Sequence, residues 1–589
     1  MTTTLVRRDV LRGLGLVTVV ATAPGLLAGC ASVEDGPTSD PGARARIFPQ
    51  GVASGDPTPD TVILWVRAVP DASHSLAVHY EVATDAAFAT MVADGNVTTS
   101  PDTDHTAKLK LTGLTASTTY YYRFTAQGVV SVVGRTKTAP LPGDDVSPRF
   151  AFVTCQDFNG RYFHAYKALL AETPEPEFVL HLGDYIYETE GDLRFQEPSE
   201  DRRVTIAEGI VIGEKDAPFK AAFTLGDYRS LYRQYRSDPD LQAAHALFPF
   251  INIWDDHEFA DDCWQDNATH SNDLEDEQNP TRRKAASRAW NEYQPADVHY
   301  DEAAAFPNDI LIYRKLRWGK HLEIFLTDQR YFRSDHVIPE GPVDVDVAKL
   351  SKNSALGSRA FVLKKGFDPK EAAAKPTMLG QVQKDWLIDS VTSSDATWKV
   401  WGSETQVAQL VVNLKDYDVP ELYKDLFYLT VDQWDGFRTE RKEVLTELAT
   451  ASNVVVLTGD VHAFYASELH PDFDAKTTPT AVEFVVGAAA STSFQEIIER
   501  VVEGNATFKS LGLGALVPKM DELIRAAGPH CKFARSKGNG IGIVDVEGES
   551  ELRVTFLLLK SPVTSKAFDG GIERVVLRTK SGSATIETV

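Results

Sequence analysis

The sequence predicts an α+β chain with two folded domains, an N-terminal β-sandwich followed by an α/β sandwich. The chain has 589 residues, well above the roughly 150 residues of an average domain. Strand patterns without helical stretches occupy residues 47–141, and strands that alternate with helical stretches occupy residues 142–589. Hydrophobic residues make up 43% and charged residues 24% of the chain, which is typical of soluble globular proteins. A disordered chain and a multi-span membrane protein are therefore excluded.

The charge balance and the cysteine content exclude further classes. The chain has 60 Lys and Arg against 84 Asp and Glu, a net charge of −24. Binding to nucleic acid through a basic surface is not expected, and we predict no stable nucleic-acid partner. Such a balance suits a secreted enzyme that concentrates carboxylates around cations. Four cysteines are too few for a disulfide scaffold.

Residues 1–29 have the pattern of an export signal. Residues 7–12, Arg-Arg-Asp-Val-Leu-Arg, resemble the twin-arginine signal, and the apolar stretch 13–29 follows them. Pro24 and the small residues at the end of this stretch argue against a permanent membrane-spanning helix. Leu-Ala-Gly-Cys at residues 27–30 resembles a bacterial lipobox, in which Cys30 is acylated. An ordinary signal peptide that contains a cysteine is the alternative.

We therefore predict export by the twin-arginine machinery to the cell envelope, the periplasm or the cell surface. The predicted contact with the membrane is a lipid anchor at Cys30. Residues 30–46, rich in Gly, Pro, Ser and Asp, are predicted to be a flexible tether.

The predicted N-terminal domain covers residues 47–141. Its clearest strand patterns, separated by turn residues, are 61–66, 79–83, 108–111 and 120–124. Leu-Thr-Gly-Leu at 111–114, followed by Thr-Tyr-Tyr-Tyr at 119–122, resembles the Leu…Tyr corner of immunoglobulin and fibronectin III sandwiches. The sequence thus indicates an immunoglobulin/fibronectin III-like β-sandwich that packs or spaces the chain and contributes no catalysis.

In residues 142–589, five short apolar runs each break abruptly into polar residues. The runs are 150–153, 178–182, 250–254, 322–326 and 454–457. The residues that follow are carboxylates, a thiol, imidazoles and amides. Ligands of α/β folds bind outside the carboxyl ends of the strands, so five such endings predict one shared site. Helices are predicted at 162–172, 225–235 and 378–390, a polar loop at 261–276, and strands at 541–546 and 552–559 that complete the sheet.

Three of these endings have residues that suit a pair of metal ions. Gly-Asp-x-x-Tyr at 183–187 offers a carboxylate and a phenol, and Gly-Asp-Val-His at 459–462 offers a carboxylate and an imidazole. Asp-Asp-His-Glu at 255–258 adds three acids and a histidine. Taken singly, they are explained equally well by a turn, a buried histidine and a capped helix start. Taken together, they favour a two-metal site that activates water.

These motifs also carry a family resemblance, through the segments 51–57, 155–156, 182–188, 254–258, 378–380, 386–387 and 457–462. In this order they are similar to the PhoD-type alkaline phosphatase/phosphodiesterase family of the calcineurin-like metallophosphoesterases. The resemblance covers about residues 47–560 and implies a catalytic α/β/β/α sandwich behind the N-terminal domain. It also implies an Fe³⁺ ion with Ca²⁺ as its companion, and phosphomonoesters and phosphodiesters as substrates.

The resemblance assigns residues to the iron site. Cys155, Tyr187 and His462 are expected to hold Fe³⁺, with Asp184 bridging the two metals. A thiolate on iron would also explain a cysteine in an oxidising compartment. The other cysteines, Cys263 and Cys531, are either a disulfide pair or two buried thiols.

The second cation is expected to face Asp256 and Asp460, again by resemblance. Asp261 stands where the family pattern has an asparagine, so it would make the calcium site more negative. The expected reaction is attack of a metal-activated hydroxide on phosphorus, with His257 protonating the leaving oxygen. Arg330 follows another strand and offers a bidentate phosphate clamp. An ion-paired arginine is the alternative.

Two other functions remain open at this stage. The same site would suit a phospholipase D-like or nucleotide phosphodiesterase, because the motifs do not define the leaving group. The alternative from another class is a lipoprotein that binds phosphate compounds without cleaving them. Loss of the proton donor or of the bridging acid would indicate such a protein, but His257 and Asp184 are both present. A Ser-His-Asp hydrolase is excluded, because no Gly-x-Ser-x-Gly elbow follows a suitable strand.

Overall fold

The computed structural model describes residues 2–5, 40–71, 74–192, 196–214, 217–268, 277–338, 359–419, 421–504, 509 and 512–589. Cys30 and most of the predicted export signal and tether lie outside these residues. Within the described ranges, no helix is both long enough and apolar enough to span a membrane.

The strands, in chain order, are β1 (Thr2–Leu5), β2 (Val52–Gly55), β3 (Thr61–Arg67), β4 (Leu76–Ala83), β5 (Met91–Thr99), β6 (Thr106–Thr112), β7 (Thr119–Ala126), β8 (Val129–Val130), β9 (Gly134–Lys137), β10 (Arg149–Val153), β11 (Val179–Leu182), β12 (Ile210–Glu214), β13 (Ala217–Ala221), β14 (Pro249–Ile253), β15 (Asn267–Ala268), β16 (Glu277–Gln278), β17 (His299–Tyr300), β18 (Ile310–Leu311), β19 (Arg314–Trp318), β20 (Leu322–Leu326), β21 (Ala360–Leu363), β22 (Trp398–Ser403), β23 (Val411–Asn413), β24 (Leu426–Thr430), β25 (Val454–Thr458), β26 (Phe464–Leu469), β27 (Ala481–Val485), β28 (Cys531–Arg535), β29 (Gly540–Glu547), β30 (Glu551–Leu559), β31 (Ile572–Lys580) and β32 (Glu587–Thr588).

The α-helices are α1 (Pro41–Ile47), α2 (His164–Leu170), α3 (Leu225–Tyr235), α4 (Pro239–Leu247), α5 (Pro280–Tyr293), α6 (Lys364–Ala374), α7 (Gly380–Ser393), α8 (Arg438–Leu448), α9 (Phe494–Gly504) and α10 (Met520–Ala527). Short 3₁₀ turns connect several of these elements, including one at Asp256–Glu258.

Two large sheets position the site. The first has the order β1-β6-β3-β2-β14-β11-β10-β29-β30-β31-β32, and β14, β11 and β10 run parallel at its centre. The second has the order β19-β20-β22-β25-β27-β26-β28, and β20, β22, β25 and β27 are its parallel part. The predicted strands of the catalytic region are confirmed, and β29 and β30 extend the first sheet as expected.

Alternate residues of the second sheet belong to different cores. Ile324, Val400 and Leu457 pack in one cluster with Phe152 and Leu182 of the first sheet. Their neighbours along the strands pack instead against α7 and α8, and these are Phe325, Trp401, Val454 and Val456. Both faces of the sheet are therefore buried, which explains why its strands are continuous apolar runs in the sequence.

The N-terminal strands form two packed layers. Strands β2, β3 and β6 belong to the first large sheet, while β4, β5, β7, β8 and β9 form a smaller one. A single apolar cluster joins the two layers, with Val62 and Leu64 on one side and Val78 and Tyr122 on the other. The oxygen of Tyr120 accepts a hydrogen bond from the backbone N–H of Thr115 at 2.9 Å. The predicted strands of this region are confirmed.

Part of the predicted tether is helical. Helix α1 begins at Pro41, inside the segment 30–46 that the composition predicts to be flexible. The carboxylate of Asp40 caps it by accepting from the N–H of Ala43 at 2.8 Å, and a proline in the first turn suits a helix start. Ile47 is buried in the N-terminal core and anchors the helix.

The helices predicted in the catalytic region are confirmed. Helix α3 has the predicted bounds, and α2 and α7 differ from the predicted ranges by two or three residues at their ends. The polar segment predicted to be a loop includes the two-residue strand β15, and residues 269–276 lie outside the described part.

Candidate metal centre

The predicted strand endings do meet at one place. Strands β10, β11 and β14 of the first sheet run parallel to one another, as do β20, β22 and β25 of the second. Because parallel strands end at the same edge, the residues that follow them converge there. The predicted metal ligands Asp184, Asp256, Asp261, Asp460 and His462 and the predicted acid His257 fall in groups of neighbouring side chains at this edge, together with Cys155.

Four of these residues have a strained backbone. Cys155, Asp184, Asp460 and His462 have φ angles of 55°, 54°, 62° and 57°. Residues other than glycine rarely adopt this left-handed conformation, which costs free energy and is found preferentially at functional sites. In this conformation the four side chains point inward at the ends of their strands.

A buried glutamate fastens two of the loops together. This glutamate is Glu258, and one of its oxygens accepts hydrogen bonds from the backbone N–H groups of Asp184 at 3.0 Å and Asp255 at 2.7 Å. Its second oxygen accepts from the N–H of Tyr185 at 2.5 Å. Gly183 lies between these loops with φ of +96°, and a Cβ atom there would be 2.4 Å from the Cβ of Asp255. The conformation of the loop after β11 is therefore restricted by close packing.

The first half of the site combines a thiol, a phenol, an imidazole and a carboxylate. The ligand atoms of Cys155, Asp184 and His462 all lie within 4.8 Å of one another. The phenol oxygen of Tyr187 lies 2.9 Å from Nε2 of His462. Nδ1 of His462 is 2.6 Å from the carbonyl oxygen of Thr492, and burial lowers the pKa of this histidine to about 4. Because Nδ1–H donates to that carbonyl, the neutral ring presents its Nε2 lone pair to the site.

The charges of this half favour a cation. Burial, reinforced by Asp184 and Asp460, holds the pKa of the Cys155 thiol well above its usual range. Burial likewise raises the pKa of Tyr187 well above its usual range, and the largest contribution from a charged group is again that of Asp184. Both carboxylate oxygens of Asp184 are buried and have no hydrogen-bond partner among the described residues. A buried polar atom without a partner costs about 1–3 kcal/mol, and a metal ion would satisfy it. The donor set therefore fits a metal.

The second half consists of carboxylates. Asp184, Asp255, Asp256 and Asp460 form one group whose ligand oxygens lie within 4.8 Å of one another. Asp256 also belongs to a neighbouring group with the predicted ligand Asp261 and with Asp262. Burial raises the pKa of Asp460 to about 7 and holds that of Asp262 well above its usual range. Carboxylate oxygens suit hard cations such as Ca²⁺.

Arg330 forms ion pairs with carboxylates. The sequence analysis gave this as the alternative to a phosphate clamp. Its guanidinium is fully buried and contacts Asp255, Asp432 at 2.9 Å and Asp460 at 3.2 Å. Asp256 lies 3.6 Å away. With its donors directed at these acids, Arg330 holds the ligand loops together and does not line the cavity as a phosphate clamp would.

His257 is held by a second buried acid. Its Nδ1 lies 2.7 Å from Oε2 of Glu188, whose other oxygen accepts from the backbone N–H of Asp261 at 2.9 Å. Burial opposes protonation of His257, but Glu188, Asp184 and Asp256 outweigh it and hold its pKa well above the usual range. Glu188 therefore orients the His257 ring, and the surrounding carboxylates favour its protonated form.

Sequence reasoning overlooked several residues of the centre. They are Glu188, Asp255, Asp262, Asp432 and Gln433. Glu188, Asp255 and Asp262 lie next to the metal-ligand motifs in the sequence, and this proximity could have identified them. Asp432 and Gln433 follow β24, which no motif marks. The two remaining cysteines, Cys263 and Cys531, are both buried free thiols.

A cavity of about 240 Å³ opens onto these groups. Asp184, Asp256, His257, Asp460 and His462 lie at its acidic floor, and apolar side chains form another part of its lining. An anionic ester would meet a strongly negative floor unless cations neutralised it.

The chain is similar to known proteins over most of its length. The sequence profile described as PhoD-like phosphatase matches residues 150–556, and the one described as PhoD-like phosphatase, N-terminal domain, matches residues 34–140. Alkaline phosphatase D of Bacillus subtilis (strain 168) is 32% identical over 453 residues, 74% of this chain and 68% of that protein. A solved structure described as Structure of PhoD has 27% sequence identity and a TM-score of 0.71, and the match covers 92% of each chain.

Proposed function

The chain belongs to the PhoD-like phosphatase family and is a phosphoric ester hydrolase, and from this premise we propose a metal-dependent enzyme that cleaves phosphomonoesters and phosphodiesters. The observation that carries the proposal is the carboxylate of Asp184, buried without a hydrogen-bond partner between two groups of ligand atoms. Such a carboxylate is suited to bridging two cations.

We assign the ligands as follows. Cys155, Tyr187 and His462 hold Fe³⁺, because thiolate, phenolate and imidazole are ligands that suit a transition metal. Asp256 and Asp460 hold Ca²⁺, with Asp261 beside them as a further oxygen ligand. Asp184, which belongs to both groups of ligand atoms, would be shared between the two ions. When bound, the cations lower the pKa of a water molecule and neutralise the phosphate oxygens.

The residues of the chain provide the remaining chemistry. His257 lies on the cavity floor and carries the proton that a departing alkoxide needs. Glu188 keeps the proton on Nδ1 and fixes the ring, so that Nε2 faces the cavity. Nε2 lies 3.6 Å from Asp261, which connects the proton donor to the second cation site. Arg330 offsets part of the negative charge of the ligand loops from behind.

We further propose that the enzyme is exported by the twin-arginine machinery and anchored through acylated Cys30. The support is the motif at residues 7–12 and the lipobox-like segment at residues 27–30. An anchored enzyme would meet its esters in the cell envelope or at the cell surface.

The first test is metal analysis of protein purified without chelators, together with hydrolysis of p-nitrophenyl phosphate and bis(p-nitrophenyl) phosphate. We expect bound iron and calcium, activity on both esters, and a visible charge-transfer band from Tyr187 on Fe³⁺. Tyr187→Phe should remove the band, whereas the control Tyr121→Phe, in the N-terminal strand β7, should keep it. A colourless, iron-loaded and active protein would contradict the assignment of Tyr187. Protein that stays inert after both metals are added would contradict the proposed activity.

A further inference from the structure

One side of the active-site cavity is apolar. We call this side the apolar wall. It consists of Phe361, Leu429, Phe494, Ile497, Ile498, Val501 and Val502. The same cavity contains the acidic floor, so an ester held at the floor places its organic group within reach of the wall.

Helix α9 provides most of the wall. Its apolar residues recur at positions i, i+3, i+4, i+7 and i+8, which places them on one face. The opposite face carries Gln495, Glu496, Glu499, Arg500 and Glu503. Ile497, Ile498 and Val501 are only partly buried although they lie on the apolar face. They therefore retain apolar surface that a bound group would remove from water.

The wall continues into a second, smaller cavity of about 50 Å³. The two cavities share Phe361, Leu429, Ile498 and Val502. All the residues described around the smaller cavity are apolar, and beyond the shared ones they are Val412, Leu414, Leu513, Leu516, Val517, Met520 and Leu523. An elongated apolar group can therefore extend from the floor past Ile498 without meeting a polar side chain.

Two polar side chains of the cavity, those of Gln433 and Asp432, are already engaged. Gln433 donates to Asp460, and Asp432 accepts from Arg330 and His336. Within the described lining of both cavities, no Lys or Arg faces the wall. Sugar hydroxyls and bases would leave their hydrogen-bonding groups unpaired on this surface, which is costly.

From these contacts we infer that the apolar wall is a binding subsite for the organic group of the substrate. The substrates it selects are phosphoesters that carry an alkyl or aryl group. The inference rests on the proposed hydrolysis of phosphoesters and defines which esters are preferred. Ile498 and Val501 are the residues expected to determine this specificity, because both line the cavity and are only partly buried.

A series of n-alkyl phosphates from ethyl to hexyl tests the inference with the metal-loaded full chain. The leaving alkoxides are chemically alike, so differences in kcat/KM report contact with the wall. We expect kcat/KM to rise roughly two- to fourfold with each added methylene until the cavity is filled. A flat series, measured while p-nitrophenyl phosphate is hydrolysed, would overturn the subsite but leave the phosphatase assignment intact. No hydrolysis of any ester would instead refute the proposed function.

Val501→Thr keeps the shape of the side chain and adds a hydroxyl. It should lower the hexyl-to-ethyl ratio of kcat/KM at least about threefold, because the bound chain would cover an unpaired hydroxyl. Val382→Thr is the matched control, since Val382 lies on α7 and is 71% exposed. An unchanged ratio in Val501→Thr, with control-like melting, would place the alkyl chain elsewhere.

The apolar group can come from dissolved esters or from membrane lipids. Dihexanoyl phosphatidylcholine below its micelle concentration and vesicles of dioleoyl phosphatidylcholine distinguish the two sources. Hydrolysis of the dispersed lipid alone would support dissolved esters, and hydrolysis of both would support membrane lipids. Hydrolysis of neither, while bis(p-nitrophenyl) phosphate is cleaved, would overturn the inference for diesters.

Discussion

At the level of single residues, the centre depends on how buried charges compensate one another. Arg330 faces four carboxylates. One of them, Asp432, lies 2.9 Å from Arg330, 2.9 Å from Arg333 and 2.7 Å from His336. Burial opposes the charge on Asp432, but Arg333 and Arg330 hold its pKa well below the usual range. Among the described residues, neither carboxylate oxygen of Asp184 has a hydrogen-bond partner, and the positive charge that favours its ionised form is that of His257. A bound cation would add to this compensation.

The Glu188–His257 pair is a prediction at this scale. Glu188→Gln should lower kcat for ethyl phosphate roughly tenfold to a hundredfold, because the acid that protonates a poor leaving group loses its orienting carboxylate. The effect on p-nitrophenyl phosphate should be less than about threefold, since that leaving group needs little protonation. Steady-state kinetics with both esters measures the contrast.

Glu190→Gln is the matched control, because the same change is made two residues along the segment. There the carboxylate accepts, among the described residues, from the N–H of Ile206. Equal losses on both esters in Glu188→Gln would indicate a general structural defect and would contradict the positioning role.

At the level of elements, the loop that follows β11 is confined on several sides. Glu258 accepts from three consecutive backbone N–H groups in it, the most distant being that of Ile186 at 3.4 Å. The loop turns at Gly183, whose missing Cβ lets the Asp255 backbone approach. Asp184 and Tyr187 are therefore positioned by hydrogen bonds and by close packing at once.

Gly183→Ala should abolish most of the activity. The new Cβ would lie 2.4 Å from the Cβ and 2.6 Å from the amide nitrogen of Asp255, so one loop has to move. We expect kcat/KM to fall at least about tenfold, because misplaced catalytic groups are costly.

Gly128→Ala is the control that distinguishes the effect of backbone strain from the effect of the steric clash at Gly183. Gly128 also has a positive φ, +72°, but a Cβ there meets nothing within 4 Å. It should lose about 1–2 kcal/mol of stability and keep its activity. If both variants retained full activity, close packing at Gly183 would not be what positions Asp184.

At the level of the whole molecule, the N-terminal layer shares a sheet with the catalytic core. Strand β2 pairs in parallel with β14, and Asp56 at its end accepts from Arg314 at 2.7 Å and from the N–H of Asp297 at 2.7 Å. The indole N–H of Trp65 donates to the carbonyl of Glu292 at 2.8 Å. The segment 51–57, which carries part of the family resemblance, therefore forms the junction between the two regions.

Gly55→Ala should disrupt this junction. A Cβ there would lie 2.3 Å from the carbonyl oxygen of Pro295 and 2.4 Å from that of Phe250, and neither backbone group can move easily. We expect a loss of at least about 3 kcal/mol of stability or failure to fold, measured by urea unfolding followed by tryptophan fluorescence.

Gly143→Ala is the control for that variant, since a Cβ at Gly143 meets nothing within 4 Å. Its stability should stay within about 0.5 kcal/mol of the original. If Gly55→Ala unfolded at the same urea concentration as Gly143→Ala, the two regions would not depend on the β2–β14 pairing.

Local patterns in the sequence determined the central strands that end at the site, helix α3 and the place where the strand endings meet, whereas strands such as β19, β22, β26, β27 and β31 were not predicted. Apolar runs, glycine turns and helical periodicity are signals between near neighbours, so they can be recognised without knowing the fold. The acidic character of the centre followed from them, because parallel strands bring their endings together.

Tertiary structure alone decided what each charged side chain faces. Glu188 and His257 are 69 positions apart, and Arg330 and Asp432 are 102 positions apart. Their pairing depends on how the two sheets pack, for which the sequence carries no local signal. The apolar wall is a similar case: α9 is visibly amphipathic in the sequence, but only the fold turns its apolar face toward the carboxylates. Periodicity shows that a helix has an apolar face, whereas long-range packing decides what that face meets.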